Sequence, residues 1–388
     1  MLSLALAVSS LAVWLYLLCG RDSFWRARPR IEAEAPPSPA AWPEVVAIVP
    51  ARDEAAHVEE ALCSLLAQDY PGELAVVLVD DHSEDATAAI ARRLAAGHAR
   101  PLEVIGARTL PPGWTGKLWA IHEGLRHAAQ VRPNAAYVLL TDADIVHSPE
   151  SLARLVAKAE AERLDLASLM VRLHCETSWE RLLIPPFVFF FLKLCPFAAV
   201  NDPQRATAAA AGGCMLARRR ALEAAGGIEA IRGELIDDVA LARALKHRPG
   251  GGRIWLGLAE TTASLRRYDR LGAIWAMVAR SADTQLCHSL ARLAGTLLGM
   301  GVAYLVPPLG LLTGIVQGDQ MLSALSLAAW IAMAVAYRPT ATLYRLATPW
   351  LLSLPLAAAL YIAMTVDSAI QYRRGTGGRW KGRVFLPQ

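Results

Sequence analysis

The chain has 388 residues, of which 54% are hydrophobic and 19% are charged. Because an ordinary soluble domain carries about 25% charged residues, this composition excludes a wholly soluble protein, and it also excludes a disordered or fibrous one. The net charge is only +4, from 39 Lys and Arg against 35 Asp and Glu. The basic residues gather beside apolar segments, so we expect no nucleic-acid partner. The 6 cysteines form no CxxC pair, which indicates reduced thiols in a cytosolic setting.

An apolar run of 18 residues, Leu2–Cys19, opens the chain. It is close to the ~20 residues that cross a bilayer core. Basic residues follow it at once: Arg21, Arg26, Arg28 and Arg30. Since such residues favour the cytoplasmic side, the sequence predicts a transmembrane anchor over residues 1–20 with its N-terminus outside. A cleaved secretory signal is the alternative, but no basic residue precedes the run. A linker rich in Pro and Ala is predicted over residues 21–43.

Short β-branched runs then alternate with helical patterns, which predicts an α/β domain over residues 44–270. The predicted strands are VVAIVP, LAVVLVD, LEVIG, AAYVLLTDAD and LDLASLMVRL, and the predicted helices cover residues 54–68, 86–96, 117–130 and 151–161. This alternation is typical of a mostly parallel sheet. Strands this apolar require cover on both faces.

Apolar segments return beyond these elements. Residues 179–200 contain Pro185, Pro186, Lys193 and Pro196, which favours an interfacial or re-entrant segment. An interfacial helix is predicted over residues 271–288. Transmembrane or re-entrant helices follow over residues 289–366, with apolar stretches near 293–316, 321–337 and 347–366, and a basic tail covers 367–388. Three spans here would place that tail outside, whereas its basic residues favour the cytoplasmic side. We therefore expect the first stretch, interrupted by Pro307 and Pro308, to re-enter the membrane without crossing it.

The first candidate site residues lie where the first two strands end. VPARDE contains Pro50, Ala51, Arg52 and Glu54, and LVDDHSED contains Asp80 and Asp81. Ligands of open α/β sheets bind at the carboxyl ends of strands, although Asp53 is equally suited to capping the next helix. Two adjacent carboxylates favour contact with a nucleotide base or ribose, because a cap requires only one. A phosphoacceptor receiver domain begins in the same way.

A lysine opens the third predicted helix of this domain. In GWTGKLW, Lys117 follows Gly113 and Gly116. Glycine lets backbone approach an anion and lysine supplies a point charge. The spacing is not that of a P-loop. A solvated surface lysine is the alternative.

Asp142 and Asp144 come directly after an apolar strand, in LLTDADIV. Alternate residues of an extended chain share a face, and two carboxylates on one face repel unless a cation or a proton lies between them. Mg²⁺ and Mn²⁺ take oxygen ligands of this kind. The pair therefore predicts a divalent cation that would bridge to a diphosphate, the alternative being a turn rich in Asp for backbone reasons.

Two more aspartates, Asp237 and Asp238, precede a helix in GELIDDVALARALK. One of them is expected to cap the helix. The other would remain at its N-terminus, where the positive end favours an ionised carboxylate able to accept a proton. The tail sequence GGRWKGR, with Arg379, Trp380, Lys381 and Arg383, suits either membrane-interface anchors or a basic closure over a diphosphate.

The motifs VPARDE, VDDHSED, GK before a helix, DAD, GGCMLARRRALEAAGG and IDDVALA together resemble the family 2 glycosyltransferases, over residues 45–268. The WKGR tail on apolar helices is similar to the bacterial branch that glycosylates polyisoprenoid-type lipids, most of all to the hopanoid-biosynthesis-associated glycosyltransferases. The resemblance implies a GT-A fold, an α/β nucleotide-sugar-binding domain with a mostly parallel central sheet, and transmembrane helices at both ends. It further implies roles for the candidate residues. Asp142 and Asp144 would hold the metal and the nucleotide sugar, Asp238 would be the general base, and the nucleotide would be lined by Pro50, Ala51, Glu54, Asp81 and Lys117.

The implied activity is inverting, metal-dependent transfer of a single sugar from a nucleoside diphosphate sugar to a membrane lipid, with UDP as the family's usual carrier. The family usually has Glu-Asp where this chain has Asp237 and Asp238, which leaves the role of Asp237 open. RRYDRLGAIW lacks the QxxRW motif of processive members, so a single transfer is expected. The implied location is the cytoplasmic membrane, multi-pass, with the catalytic domain facing the cytoplasm. The alternative is a non-catalytic nucleotide-sugar-binding membrane scaffold, while the lack of GxGxxG after the first strand disfavours a dinucleotide enzyme.

Overall fold

The computed structural model describes residues 1–377, 379–380 and 383–384. Its contacts divide the chain into two units. The sheet unit comprises residues 28–174 and 199–266. The helical unit comprises residues 1–27, 175–198 and the described residues from 267 onward. The sheet unit thus begins inside the predicted linker and leaves out the apolar segment from residue 175 to 198.

Ten strands and fifteen helices make up the described chain. The strands are β1 Val45–Ala51, β2 Leu74–Asp80, β3 Leu102–Gly106, β4 Tyr137–Thr141, β5 Ile145–Val146, β6 Leu166–Arg172, β7 Cys214–Arg218, β8 Ile254–Ser264, β9 Arg379–Trp380 and β10 Arg383–Val384. The helices are α1 Leu2–Cys19, α2 Val58–Leu66, α3 Thr87–Gly97, α4 Gly116–Val131, α5 Ser151–Ala161, α6 Ser178–Leu194, α7 Phe197–Asn201, α8 Arg219–Ala224, α9 Asp237–Lys246, α10 Leu271–Ala279, α11 Ala282–Gln285, α12 Leu290–Met300, α13 Val306–Gln317, α14 Gln320–Leu343 and α15 Leu354–Arg373.

The first eight strands form one sheet in the order β3-β2-β1-β4-β7-β6-β8-β5. Strands β1 to β4 pair in parallel, as do β6 and β8. Strand β7 runs antiparallel to both of its neighbours, and β5 runs antiparallel to β8. The predicted mostly parallel sheet is confirmed. The sequence did not predict β7 and β8, which extend the sheet beyond β4.

Both faces of the central strands are covered, as the apolar runs predicted. Every residue from Val45 to Val49 is at most 1% exposed. On one face, alternate residues of β1 join a core with side chains of α2 and α5. On the other face α4 lies directly against β1 and β2, since a Cβ at Gly124 would be 2.6 Å from Ile48 Cγ2 and 2.9 Å from Val79 Cγ2. This packing fixes the end of α4 that carries Lys117 near the edge where β1 and β2 end.

The helical unit contains four helices long and apolar enough to cross a membrane: Leu2–Cys19, Leu290–Gln317, Gln320–Leu343 and Leu354–Arg373. The second joins α12 and α13 through a π-helical turn, Gly301–Leu305. The prediction that Pro307 and Pro308 interrupt this stretch is wrong. They lie in the first turn of α13, where a missing backbone N–H costs little.

Two other segments of this unit differ from the sequence-based expectation. Pro185 and Pro186 stay inside one continuous helix, α6, which ends before Pro196. The predicted interfacial helix divides into α10 and α11. In the tail, β9 and β10 pair antiparallel. The predicted closure by Lys381 lies outside the described residues.

Candidate active site

The parallel pairing of β1, β2 and β4 places their carboxyl ends at one edge of the sheet. Ala51 is opposite Asp80 in the register, and the backbone N–H of Asp81 donates to the carbonyl oxygen of Ala51 over 2.8 Å. Asp142 follows the end of β4. The predicted motifs after these three strands therefore meet at the same edge of the sheet unit.

Lys117 lies between two of the predicted acidic motifs. Its Nζ is 2.8 Å from Asp142 Oδ1 and 3.1 Å from Asp237 Oδ2. Burial lowers the pKa of Lys117, but the charges of Asp142 and Asp237 outweigh it and the pKa lies above its usual value. The ammonium is therefore charged at every physiological pH. The alternative of a solvated surface lysine is wrong, because only 21% of this side chain is exposed and it pairs with two carboxylates.

Asp238 is held by two backbone donors at the start of α9. Its Oδ2 accepts from Gly212 N over 2.9 Å, and its Oδ1 accepts from Val239 N over 2.8 Å. Burial and the charge of Asp237 raise the pKa of Asp238 to about 6, against the opposing effect of Lys117. Ile236 occupies the cap position of α9 without a side-chain bond, and Asp238, in the first turn, is the aspartate whose carboxylate accepts an N–H at the start of the helix.

Gly212 completes this cluster, and the sequence did not single it out as a site residue. A Cβ there would be 3.3 Å from Lys117 Nζ and 3.5 Å from Asp238 Oδ2. A side chain there would therefore press on the Lys117 ammonium, while the distance to Asp238 is that of an ordinary contact. The GGC motif before β7 was part of the family resemblance, but nothing in its spacing indicated that its N–H would meet Asp238, 26 residues away.

Asp144 lies in a second cluster with Arg266 and Glu54. Arg266 Nε is 2.9 Å from Asp144 Oδ2, and the same guanidinium pairs with Glu54 through Nη2. Ser264 Oγ donates to Asp144 Oδ2 over 3.3 Å. Arg266 is the second residue after β8, a strand that the sequence did not predict, so this partner of Asp144 was missed.

The remaining predicted residues connect the ends of β1 and β2. Arg52 Nη1 donates to the carbonyl oxygen of Asp81 over 2.7 Å, so this guanidinium holds the backbone of the next loop. Pro50 is partly exposed, whereas the side chain of Ala51 is buried. Asp80 Oδ1 is buried and has no hydrogen-bond partner among the described residues. Because buried carboxylate oxygens in proteins are usually hydrogen-bonded, this atom is a candidate acceptor for a ligand donor.

The acidic pair after β4 has the donor type that a divalent cation requires. Burial raises the pKa of Asp142, the charge of Lys117 opposes this, and the charge of Asp144 raises the pKa further. Carboxylate oxygens are the ligands that Mg²⁺ and Mn²⁺ prefer. No group of three or more His, Cys, Asp or Glu with metal-binding geometry occurs in the described part of the chain. The pair offers oxygen donors of the kind that such a cation takes, and in this structure one oxygen of Asp144 is paired with Arg266.

Comparison with known families decides the class of this domain. Residues 46–226 match the model described as glycosyl transferase family 2. This part of the chain is therefore similar to that family. The predicted enzyme class, a glycosyltransferase, is thereby confirmed. A comparison with curated proteins found no match.

Solved glycosyltransferase structures resemble this chain. The mannosyltransferase PcManGT from Pyrobaculum calidifontis, in complex with GDP-Man and Mn²⁺, is 22% identical, with 95% of this chain and 98% of that chain covered and a TM-score of 0.55. S. aureus TarS in complex with UDP-GlcNAc is 16% identical, with 89% and 97% covered and a TM-score of 0.40. Glucosyl-3-phosphoglycerate synthase from Mycobacterium tuberculosis, in complex with Mn²⁺, UDP and phosphoglyceric acid, is 20% identical, with 63% and 78% covered and a TM-score of 0.40. The first likeness shows the shared fold, and the predicted GT-A type α/β domain is confirmed.

Proposed function

We propose that this glycosyltransferase moves one sugar, with inversion, from a nucleoside diphosphate sugar to a lipid acceptor in the membrane. The observation that carries the proposal is the cluster of Lys117, Asp142, Asp237 and Asp238 at the carboxyl edge of the sheet. It brings a fixed positive charge and a carboxylate with a raised pKa to the same place. A displacement that expels a diphosphate while a hydroxyl loses its proton requires both.

The donor is proposed to bind along the ends of β1 and β2. The unpartnered oxygen of Asp80 offers an acceptor for a base or ribose donor. Asp81 is 1% exposed, and its backbone is held by hydrogen bonds to Ala51 and Arg52. It is therefore proposed to form the floor of the donor site next to Asp80. UDP is the proposed carrier, as in the family that the motifs resemble. Arg52 acts here by positioning the loop, because its guanidinium is used on the Asp81 carbonyl.

Asp238 is the proposed general base. Its ionised carboxylate accepts the proton of the acceptor hydroxyl as that oxygen bonds to the anomeric carbon and the bond to the diphosphate breaks on the opposite face, which inverts the centre. A base with a pKa near 6 is mostly ionised at neutral pH and still basic enough to take the proton. Asp237 is proposed to hold Lys117 in place, since its carboxylate is engaged by that ammonium.

Asp142 and Asp144 would hold a divalent cation together with the diphosphate. When bound, the cation supplies charge stabilisation of the leaving diphosphate. Lys117 adds a fixed positive charge that needs no reorganisation during the reaction. PcManGT, which shares the fold, was solved with GDP-Man and Mn²⁺, and this supports the proposed use of Mg²⁺ or Mn²⁺.

The acceptor is proposed to be a hopanoid or another polyisoprenoid lipid. A chain that combines this domain with four helices apolar enough to cross a membrane is suited to an acceptor that resides in the bilayer. The arginines after α1 favour a cytoplasmic location for the residues that follow. We therefore propose a multi-pass protein of the cytoplasmic membrane with its catalytic domain in the cytoplasm.

Mass spectrometry of lipids from cells with and without the gene tests this function. We expect one glycolipid to be missing in the deletion, which identifies donor and acceptor together. The purified full-length protein should then form it from the matching nucleotide sugar and lipid, and a chelator should stop the reaction until Mn²⁺ or Mg²⁺ is restored. Nucleotide binding without transfer or hydrolysis would favour the scaffold alternative.

The rate of transfer should depend on pH through Asp238. Because the ionised carboxylate is the active form, we expect kcat/KM to be flat above the pKa of about 6 and to fall about tenfold for each further pH unit below it. The measurement is kcat/KM between pH 4.5 and 8.5, with nucleotide affinity followed over the same range as the control. A profile that stays flat down to pH 4.5 would contradict the assignment of the base.

A further inference from the structure

Arg266 pairs with Asp144, a proposed metal ligand, and with Glu54. The two carboxylates that it joins are buried, with side chains 9% exposed at Asp144 and 10% at Glu54, whereas the Arg266 side chain is 34% exposed. Each of these acids was assigned above to the metal or the nucleotide. In this structure both of them are neutralised by a side chain of the protein itself.

The backbone fixes this arrangement. Strand β5 pairs with β8, so that Ile145 is opposite Ser264, and the N–H of Leu265 donates to the carbonyl oxygen of Asp144 over 2.8 Å. The main chains of Asp144 and Arg266 are therefore held side by side. The arginine side chain is long and partly exposed, and it is the part of this cluster that is able to move.

A divalent cation and the guanidinium compete for Asp144. Both are positive, and Arg266 Nε already lies 2.9 Å from Asp144 Oδ2. A cation cannot bind Asp144 Oδ2 while Arg266 Nε is hydrogen-bonded to it, so binding through that oxygen requires Arg266 to leave. A diphosphate offers the departing guanidinium a new partner, because its planar set of donors matches phosphate oxygens.

We propose that Arg266 is an internal counter-cation that holds the metal position closed until the diphosphate of the donor draws it away. Metal and nucleotide then bind cooperatively, and Arg266 supplies the coupling between them. Since such coupling is reciprocal, each ligand raises the affinity for the other by the same factor. This inference rests on the proposed function, because it requires the metal and the nucleotide to share this site.

The test is Mn²⁺ binding to the full-length protein in detergent, measured by the electron paramagnetic resonance signal of free Mn²⁺, with and without UDP. In the wild type we expect weak binding of Mn²⁺ alone and a marked increase with UDP. Arg266→Gln should bind Mn²⁺ alone about tenfold more tightly, as expected when a charged hydrogen-bonding competitor is removed. The increase with UDP should shrink in this variant.

Two further variants keep the result interpretable. Arg266→Lys retains the charge, so its affinity for Mn²⁺ alone should stay near that of the wild type. Arg248→Gln is the matched control. Arg248 Nη2 pairs with Asp165 over 3.1 Å, with similar exposure, elsewhere in the same unit. Arg248→Gln should change neither the affinity for Mn²⁺ alone nor the increase of that affinity with UDP.

The outcomes separate the two proposals. If UDP promotes Mn²⁺ binding to the wild type but Arg266→Gln binds Mn²⁺ alone no more tightly, Arg266 is not the competitor and this inference is wrong, while the proposed function stands. If neither protein binds Mn²⁺ with or without UDP, the proposed metal dependence fails and the inference fails with it.

Discussion

Asp238→Asn is expected to lower kcat for sugar transfer by about 10²–10⁴-fold while nucleotide affinity stays nearly unchanged. The base acts on the acceptor hydroxyl only as the new bond forms, so its loss raises the barrier without weakening the bound donor. Asparagine keeps the shape and still accepts one of the two backbone N–H bonds, from Gly212 or Val239. It has no basic lone pair for a proton. The measurements are kcat and KM with the identified lipid acceptor, and the dissociation constant of UDP.

Asp238→Glu is the informative companion of this variant. It keeps the carboxylate but moves it by one methylene, so we expect a partial loss of kcat and a pH profile that still has an acid limb. Thermal unfolding of all three proteins in detergent checks that the site remains folded. Loss of kcat and of nucleotide affinity by the same factor in Asp238→Asn would show that the residue supports binding and would remove it from the role of base.

The sequence predicted those site residues that lie next to a strand along the chain. The motif residues after β1, β2 and β4 follow apolar runs directly, and parallel pairing brings the ends of such strands to one edge whatever the intervening loops do. Asp80 and Asp142 were therefore predictable as neighbours at one edge of the sheet. The start of α2 was not. Asp53 adopts a φ of 51° and its Oδ1 accepts from Glu84 N, so the helix begins only at Val58.

The sequence missed those site residues that are positioned by pairing between strands far apart in the chain. Gly212 meets Asp238 because β7 inserts antiparallel between β4 and β6, and a five-residue strand next to a Gly pair has no strong alternation to reveal it. Arg266 reaches Asp144 across 122 residues because β8 pairs with the two-residue strand β5. Neither pairing leaves a periodic pattern in the sequence. Their consequence is chemical, since they supply the donor to the proposed base and the counter-ion of the proposed metal ligand.

Lys117→Met is expected to cause the largest loss of stability among changes in the cluster, about 1–3 kcal/mol at pH 8. It removes the shared cation of Asp142 and Asp237 and leaves partly buried carboxylates to repel each other. The loss should be smaller at pH 5, because Asp238, whose pKa is about 6, takes up a proton there and the carboxylates then repel each other less. The acid limb of any residual activity should also move to higher pH, since Lys117 no longer holds down the pKa of Asp238. The measurement is the thermal midpoint in detergent at both pH values.

Lys246→Met provides the matched control for this change. Lys246 is also a buried lysine of the sheet unit, but its Nζ donates to the backbone carbonyl oxygens of Val200 and Thr207. Its removal should destabilise the protein by a similar amount at pH 5 and pH 8, because the hydrogen bonds that it breaks end on carbonyl oxygens, which do not titrate in this range. A pH dependence that appears only in Lys117→Met therefore isolates carboxylate repulsion as its cause. Equal losses at both pH values in the two variants would mean that Lys117 stabilises the fold by packing, and that its charge does not set the electrostatics of the acidic cluster.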